Sequence, residues 1–200
     1  MIHIIIFVFT INDIESIVNI YGVIPKEILS FQKLYTLFSS LFIHASIIHL
    51  ISNMVFFSIF GPCLEKELNN IHFISIFFIT GLIGNFVYIF SNPTVQIPAV
   101  GASGALFGFL GVYLITLPKK ELKLIDFHLN FIKVNGPTLG IIWIGIEIIR
   151  LIRVKFFDVV SNTSQMAHLG GFVSGVIIEI ILVIMSYYNS KKKKHKEIEL

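Results

Sequence analysis

The sequence predicts an all-α membrane protein, a bundle of six transmembrane helices, and three observations carry that reading. Of its 200 residues 55% are hydrophobic, and the mean hydropathy is +0.86; soluble domains run at about 45–50% apolar. Apolar stretches recur along the chain at close to spanning length. Lysines gather in the connections that follow two of them.

A helix needs about 20 mostly apolar residues to cross the hydrocarbon core. Residues 41–61, 71–90, 99–117, 137–152 and 165–188 reach or approach that length. The run IHIIIFVFTI at residues 2–11 is short, and reads as a retained first span that thins the bilayer or continues into the polar stretch after it. No small-residue cleavage pattern follows it, as a signal peptide would require. Residues 12–40 mix polar side chains with apolar ones such as Ile20, Tyr21, Ile28, Leu29 and Phe31. With Pro25 interrupting them, they predict short amphipathic helices lying in the interface.

Charge sets the orientation. Lys119, Lys120 and Lys123 follow the fourth span and Lys191–Lys194 follow the sixth, so both connections are expected in the cytoplasm. Both termini then lie inside, and the start of the fourth span faces outward. The 62–70 loop carries little bias, and Arg153 and Lys155 against Asp158 in the outer 153–164 loop mildly oppose the rule. The net charge of +3 resides wholly in residues 191–200, which hold five Lys and two Glu. The chain therefore divides into a polytopic domain, 1–190, and a basic cytoplasmic tail, 191–200. A basic run directly after a span is a cytoplasmic anchor by the positive-inside rule, and nucleic-acid binding is not expected. A single cysteine, Cys63, excludes an internal disulfide and any thiolate metal cluster.

Polar residues inside spans are costly without a partner and mark candidate sites. Three clusters occur: His44-Ala-Ser-Ile-Ile-His49…Asn53 in the second span, Gly101-Ala-Ser103-Gly104 in the fourth, and Ala167-His168-Leu-Gly-Gly in the sixth. Alternate spans enter from the same side, so these clusters fall at one depth. His49 and Asn53, four apart, share a helix face. His44 and His49 lack the spacing and the added acids or thiolates of a zinc site, and no metal or organic cofactor is expected. Ser103 with His168 suggests a nucleophile and its base. No carboxylate is available at this depth, so the expected arrangement is a dyad, with Phe107 stacking on the imidazole where an acid would otherwise steer it. Free N–H groups at the helix start, with the side chains of His49 and Asn53, are candidate oxyanion donors.

Small residues give that pairing room. Gly104, Gly108 and Gly111 lie on one side of the fourth helix, and Gly171 and Gly175 form a small-xxx-small pair in the sixth. Each residue alone has a simpler reading: a serine among glycines is packing glue, a lone histidine an interfacial hydrogen-bonder, Asn53 an interhelical bond. Their coincidence at one depth favours chemistry. Glu147 reads as a local pair with Arg150, three residues on. Glu179, deep in the sixth span, is expected to face other helices without a catalytic role, and Trp143 to line a lateral entry or belong to an aromatic belt.

The segments GASGALFG, His44…His49…Asn53 and AHLGG, in this order and spacing, resemble the rhomboid family of intramembrane serine proteases over roughly residues 20–188. The resemblance implies a six-helix fold and cleavage of transmembrane protein substrates, with Ser103 as nucleophile and His168 as general base. It also implies oxyanion stabilisation by His49 and Asn53, with Gly101, Gly104, Phe107 and His44 in support. Gly61-Pro-Cys-Leu-Glu65 is similar to the family's Gly-x-x-x-Glu ending of the second span, where Glu65 is expected to cap or pair. Tyr35-Thr36 stands where the family usually carries Trp-Arg, and Phe107 where tyrosine is commoner. Two other readings are a rhomboid-like protein that binds transmembrane clients without cutting them, and a small channel or transporter; retention of both dyad residues argues against the first.

Overall fold

The computed structural model describes residues 2–125, 130–156 and 164–198, with side chains described to 124 in the first stretch and to 192 in the last. Asp158 and the side chains of the basic tail from Lys193 onward lie outside the described residues. The described chain is predominantly helical. Four helical stretches are long and apolar enough to cross a membrane: Ile2–Tyr21, Ile47–Glu67, Asn70–Ser91 and Gln165–Lys192.

The first comprises α1 (Ile2–Thr10), a single 3-10 turn, and α2 (Ile14–Tyr21). The apolar run thus does continue into the polar stretch, with a break where Thr10 Oγ1 donates back to the Ile6 carbonyl at 2.9 Å. Two short helices follow, α3 (Pro25–Leu29) and α4 (Thr36–Ser39). Pro25 opens α3 at its first turn, where a missing N–H costs nothing, rather than breaking a helix. Tyr35 and Ser39 donate to the carbonyls of Ile20 and Tyr21 at 3.0 and 2.9 Å, folding this segment back on α2. Thr36 is buried and bonds the Lys33 carbonyl. The Tyr-Thr pair therefore supplies its own anchors where the family usually has Trp-Arg.

Helix α5 (Ile47–Glu67) starts six residues later than the apolar pattern suggests, because Ser46 caps it by accepting the His49 N–H at 3.1 Å. His44 accordingly sits in the loop before the helix. Asn69 caps α6 (Asn70–Ser91) by accepting from the His72 N–H at 2.9 Å. Helix α7 (Ser103–Thr116) is only 14 residues, about 21 Å at 1.5 Å per residue, against a core of about 30 Å. Between α7 and the next helix the chain forms an antiparallel hairpin, β1 (Glu121–Ile125) with β2 (Phe131–Asn135), in place of the simple loop expected there. Helix α8 (Gly136–Phe156) carries Glu147, Arg150, Arg153 and Lys155 and is not among the four long apolar stretches. Helix α9 (Gln165–Ile198) continues through the lysine run, so the basic tail extends the last helix.

Helix α7 is the hub, and nearly all of it is buried. A Cβ on Gly171 would collide with the Gly104 carbonyl, and one on Gly175 with the Gly108 carbonyl, so α7 and α9 touch backbone to backbone along the expected glycine strips. On the opposite side Phe56, Phe60, Phe107, Tyr113 and Trp143 interlock, with Phe56–Trp143 ring centroids 4.6 Å apart. Glu179 is buried far from the α7 start. It accepts from Thr116 Oγ1 at 3.0 Å and lies 3.3 Å from His72 Nε2, tying α9 to α7 and α6. Glu179→Ala is expected to lower stability by about 1–3 kcal/mol, the cost of stranding buried polar groups, read as a lowered thermal midpoint in detergent. Glu65 is exposed and makes no hydrogen bond or ion pair among the described residues, so its expected capping role is not seen.

Candidate active site

Ser103 is the first residue of α7, and the loop before it is fixed from two sides. Val23 and Ala99 exchange backbone hydrogen bonds at 2.9 and 2.8 Å. Asn85 on α6 donates to Ser40 Oγ at 3.1 Å and to the Leu37 carbonyl at 2.9 Å, while the Ser40 carbonyl accepts the Gly101 N–H at 2.9 Å. Gly101 adopts φ +121°, a conformation open to glycine, and a Cβ there would lie 2.7 Å from the His49 ring. The glycine lets the chain turn into α7 while passing directly under that imidazole.

His168 sits one turn into α9, where the glycine strips draw the two helices together. Its Nε2 is 2.8 Å from Ser103 Oγ. The ring is stacked on Phe107, centroids 4.5 Å apart and planes 11° from parallel, as the spacing of Ser103 and Phe107 suggested. His168 is buried and Ser103 half-buried.

The expectation that no carboxylate reaches this depth is corrected. Glu147, 1% exposed, places Oε2 3.0 Å from His168 Nδ1 while Oε1 accepts from Arg150 Nη1 at 2.7 Å. The local pair with Arg150 is present, and the same carboxylate also reaches across to α9. The sequence pairs Glu147 with its neighbour one turn along the helix, and the reach of its second oxygen to α9 depends on how the two helices pack.

His49 and Asn53 both face Gly101, two residues before the serine; a Cβ there would lie 3.7 Å from Asn53 Nδ2. That Nδ2 is buried and has no hydrogen-bond acceptor among the described residues, which leaves a donor free for another oxygen. The first α7 backbone bond is Leu106 N–H to the Ala102 carbonyl at 3.0 Å, so the N–H groups of residues 103–105 have no intrahelical acceptor. His44 packs edge-on against His49, centroids 5.1 Å apart, and against His3 at 5.4 Å. Burial first, then the neighbouring His49 and His3, push the His44 imidazole down to about 3, so it is neutral at ordinary pH. His3 was not singled out from the sequence; an isolated histidine in a short apolar run gives no hint of what lies beside it.

Two cavities meet at Ser103 and His168. One, about 880 Å³, opens past Tyr88, Pro98 and Met166. The other, about 120 Å³, lies between α5 and α8 and is lined by Asn53, Phe56, Trp143 and Glu147. Trp143 therefore borders the narrow cleft while its ring also packs on Phe56. Among the described residues no three His, Cys, Asp or Glu side chains are placed so that they could hold a metal ion.

The Rhomboid domain family matches residues 32–185. The chain is 26% identical over 174 residues to RHOMBOID-like protein 5 of Arabidopsis thaliana, covering 87% of this chain and 52% of that protein. It is 27% identical over 180 residues to RHOMBOID-like protein 1 of the same plant, covering 82% and 42%. Against Rhomboid-like protease 3 of Toxoplasma gondii it is 28% identical over 167 residues, covering 84% and 54%. The chain thus spans about half the length of these relatives. With the family match running from just before α4 into α9 and enclosing both residues of the serine–histidine pair, this multi-pass helical membrane protein belongs to the rhomboid family.

Proposed function

We propose that the protein is an intramembrane serine endopeptidase that cleaves transmembrane protein substrates, with Ser103 as nucleophile and His168 as general base. The observation that carries this reading is the 2.8 Å contact between Ser103 Oγ and His168 Nε2, beside an open cavity and with the imidazole held against Phe107. Several relatives bear the name of rhomboid protease, in keeping with it.

Ser103 Oγ attacks the scissile carbonyl carbon while His168 Nε2 takes the hydroxyl proton. The carbonyl π pair moves onto oxygen, and the oxyanion accepts from the free N–H groups at the α7 start, Asn53 Nδ2 and His49. His168 then returns the proton to the leaving amine as the C–N bond breaks, giving the acyl-enzyme. Water, deprotonated by the same nitrogen, attacks the ester carbonyl, and as the acyl C–Oγ bond breaks Nε2 returns that proton to Ser103 Oγ, freeing the carboxylic acid product. The 880 Å³ cavity is the route for that water. The cleft between α5 and α8 beside Trp143 is the side from which a substrate helix enters. We place α7 and α8 as two further spans beside the four long ones, with both termini and the β-hairpin cytoplasmic and the serine facing outward, in a cell membrane. No cofactor enters the reaction.

Purified protein in detergent, treated with a fluorophosphonate probe, is expected to label on Ser103, and both Ser103→Ala and His168→Ala are expected to abolish labelling. A folded wild type that neither labels nor cuts helix-destabilised single-span substrates would sink the protease reading and favour a client-binding, non-cutting protein. Asn53→Ala is expected to lower the acylation rate by about 10- to 10³-fold, measured as kcat on a cleaved substrate with KM nearly constant.

A further inference from the structure

A serine and a histidine alone leave the far side of the imidazole unspecified. Here it is specified. We propose that Glu147 is a positioning residue for His168: its Oε2 accepts the Nδ1 proton and so keeps Nε2 as the base for Ser103, with Arg150 holding the carboxylate in place. This rests on the protease reading above.

The donors and acceptors allow one consistent assignment. Arg150 donates to Oε1 at 2.7 Å, which leaves Oε2, 3.0 Å from Nδ1, to accept from the ring. A neutral imidazole carries one N–H, so with the proton on Nδ1 the Nε2 lone pair points at Ser103 Oγ, 2.8 Å away, and accepts its O–H. The stack on Phe107 fixes the ring plane but cannot choose which nitrogen is protonated, because with the planes 11° from parallel neither N–H points into the Phe107 face. When Nε2 takes the serine proton, the imidazolium faces a carboxylate that is itself buried, where their attraction is stronger than between groups in open water. The other charged and titratable groups near His168 are His49 from α5, Tyr88 from α6 and Lys155 at the end of α8, which line the cavities around it. None of them bonds Nδ1 among the described residues.

Glu147 is separated from His168 by 21 residues and belongs to a different helix, so the contact could also serve as a clamp between α8 and α9. The tautomer distinguishes the two roles. Full-length protein labelled with ¹⁵N-histidine is compared as wild type, Glu147→Gln and Glu147→Asp, with His168→Ala assigning the resonance by difference. The same samples are titrated with a fluorophosphonate for kinact and KI. Wild-type His168 is expected on Nδ1–H. Glu147→Gln, whose single amide oxygen stays with Arg150 and so turns the NH2 toward Nδ1, is expected to lose that tautomer and to lower kinact by about 10²- to 10⁴-fold with KI little changed, while Glu147→Asp, which keeps two acceptor oxygens, retains much of both.

Wild type protonated on Nε2 overturns the proposal whether or not any variant folds. So does Glu147→Gln with wild-type kinact, or with the tautomer intact and only the thermal midpoint lowered. A wild type that fails to label overturns the protease reading and this role together; a labelling wild type matched by Glu147→Gln overturns this role alone.

Discussion

His168→Ala is expected to lower the rate of substrate cleavage by about 10⁴-fold or more while the helices stay assembled. The histidine is the only side chain hydrogen-bonded to Ser103 Oγ among the described residues, so its loss leaves the hydroxyl without a base. Its ring otherwise contacts Phe107 and Glu147, both anchored independently, Phe107 by Phe56 and Glu147 by Arg150. Stability should therefore change far less than activity. Cleavage of a reconstituted single-span substrate, with far-UV circular dichroism and a thermal midpoint as controls, separates the two. The double variant Ser103→Ala/His168→Ala is expected to be no slower than either single one, since two residues acting as one unit are lost once. Additive losses would mean that the serine and histidine do not work together.

Gly171→Val is expected to be the most disruptive single substitution for folding. A Cβ at Gly171 would overlap the Gly104 carbonyl oxygen, carbon and Cα, all backbone atoms of the helix that begins with the nucleophile. A flexible side chain can turn aside, but a helix backbone can yield only by moving the whole of α7 away from α9. Overpacking of this kind costs about 3 kcal/mol or more, and it also pulls Ser103 from His168. A lowered thermal midpoint together with loss of fluorophosphonate labelling is the expected result. Gly145 supplies the comparison, because a Cβ there meets nothing within 4 Å. Gly145→Ala should be neutral or mildly stabilising, since alanine favours helix over glycine by up to about 1 kcal/mol. Equal effects at the two positions would refute the backbone-contact explanation.

Much of this molecule was legible from local pattern. Apolar length marked the long helices because the bilayer imposes it. Ser103, His168 and Phe107 stood out because a hydroxyl and an imidazole are costly in lipid and the i, i+4 spacing puts serine and ring on one face. The glycine strips foretold the α7–α9 contact, since only small residues permit such approach. The start of α5 lies later than hydropathy places it, because an apolar pattern does not register Ser46 as the cap from which the helix begins. The hairpin was missed because its alternation, Glu-Leu-Lys-Leu-Ile against Phe-Ile-Lys-Val-Asn, is short and was read only for its lysines.

By itself, then, the sequence determined that the chain lies in a membrane, which residues are chemically out of place there, and which helices can touch. Only the tertiary structure decided what Glu147 faces. Along the chain its visible neighbour is Arg150, one turn away, and that pair accounts for one carboxylate oxygen. The other oxygen meets His168 only because α8 and α9 cross at that level, a matter of tilt and packing that no periodicity records. The same holds for His3 beside His44 and for His72 and Thr116 beside Glu179: each is a contact between segments distant in sequence, fixed by the way the bundle closes.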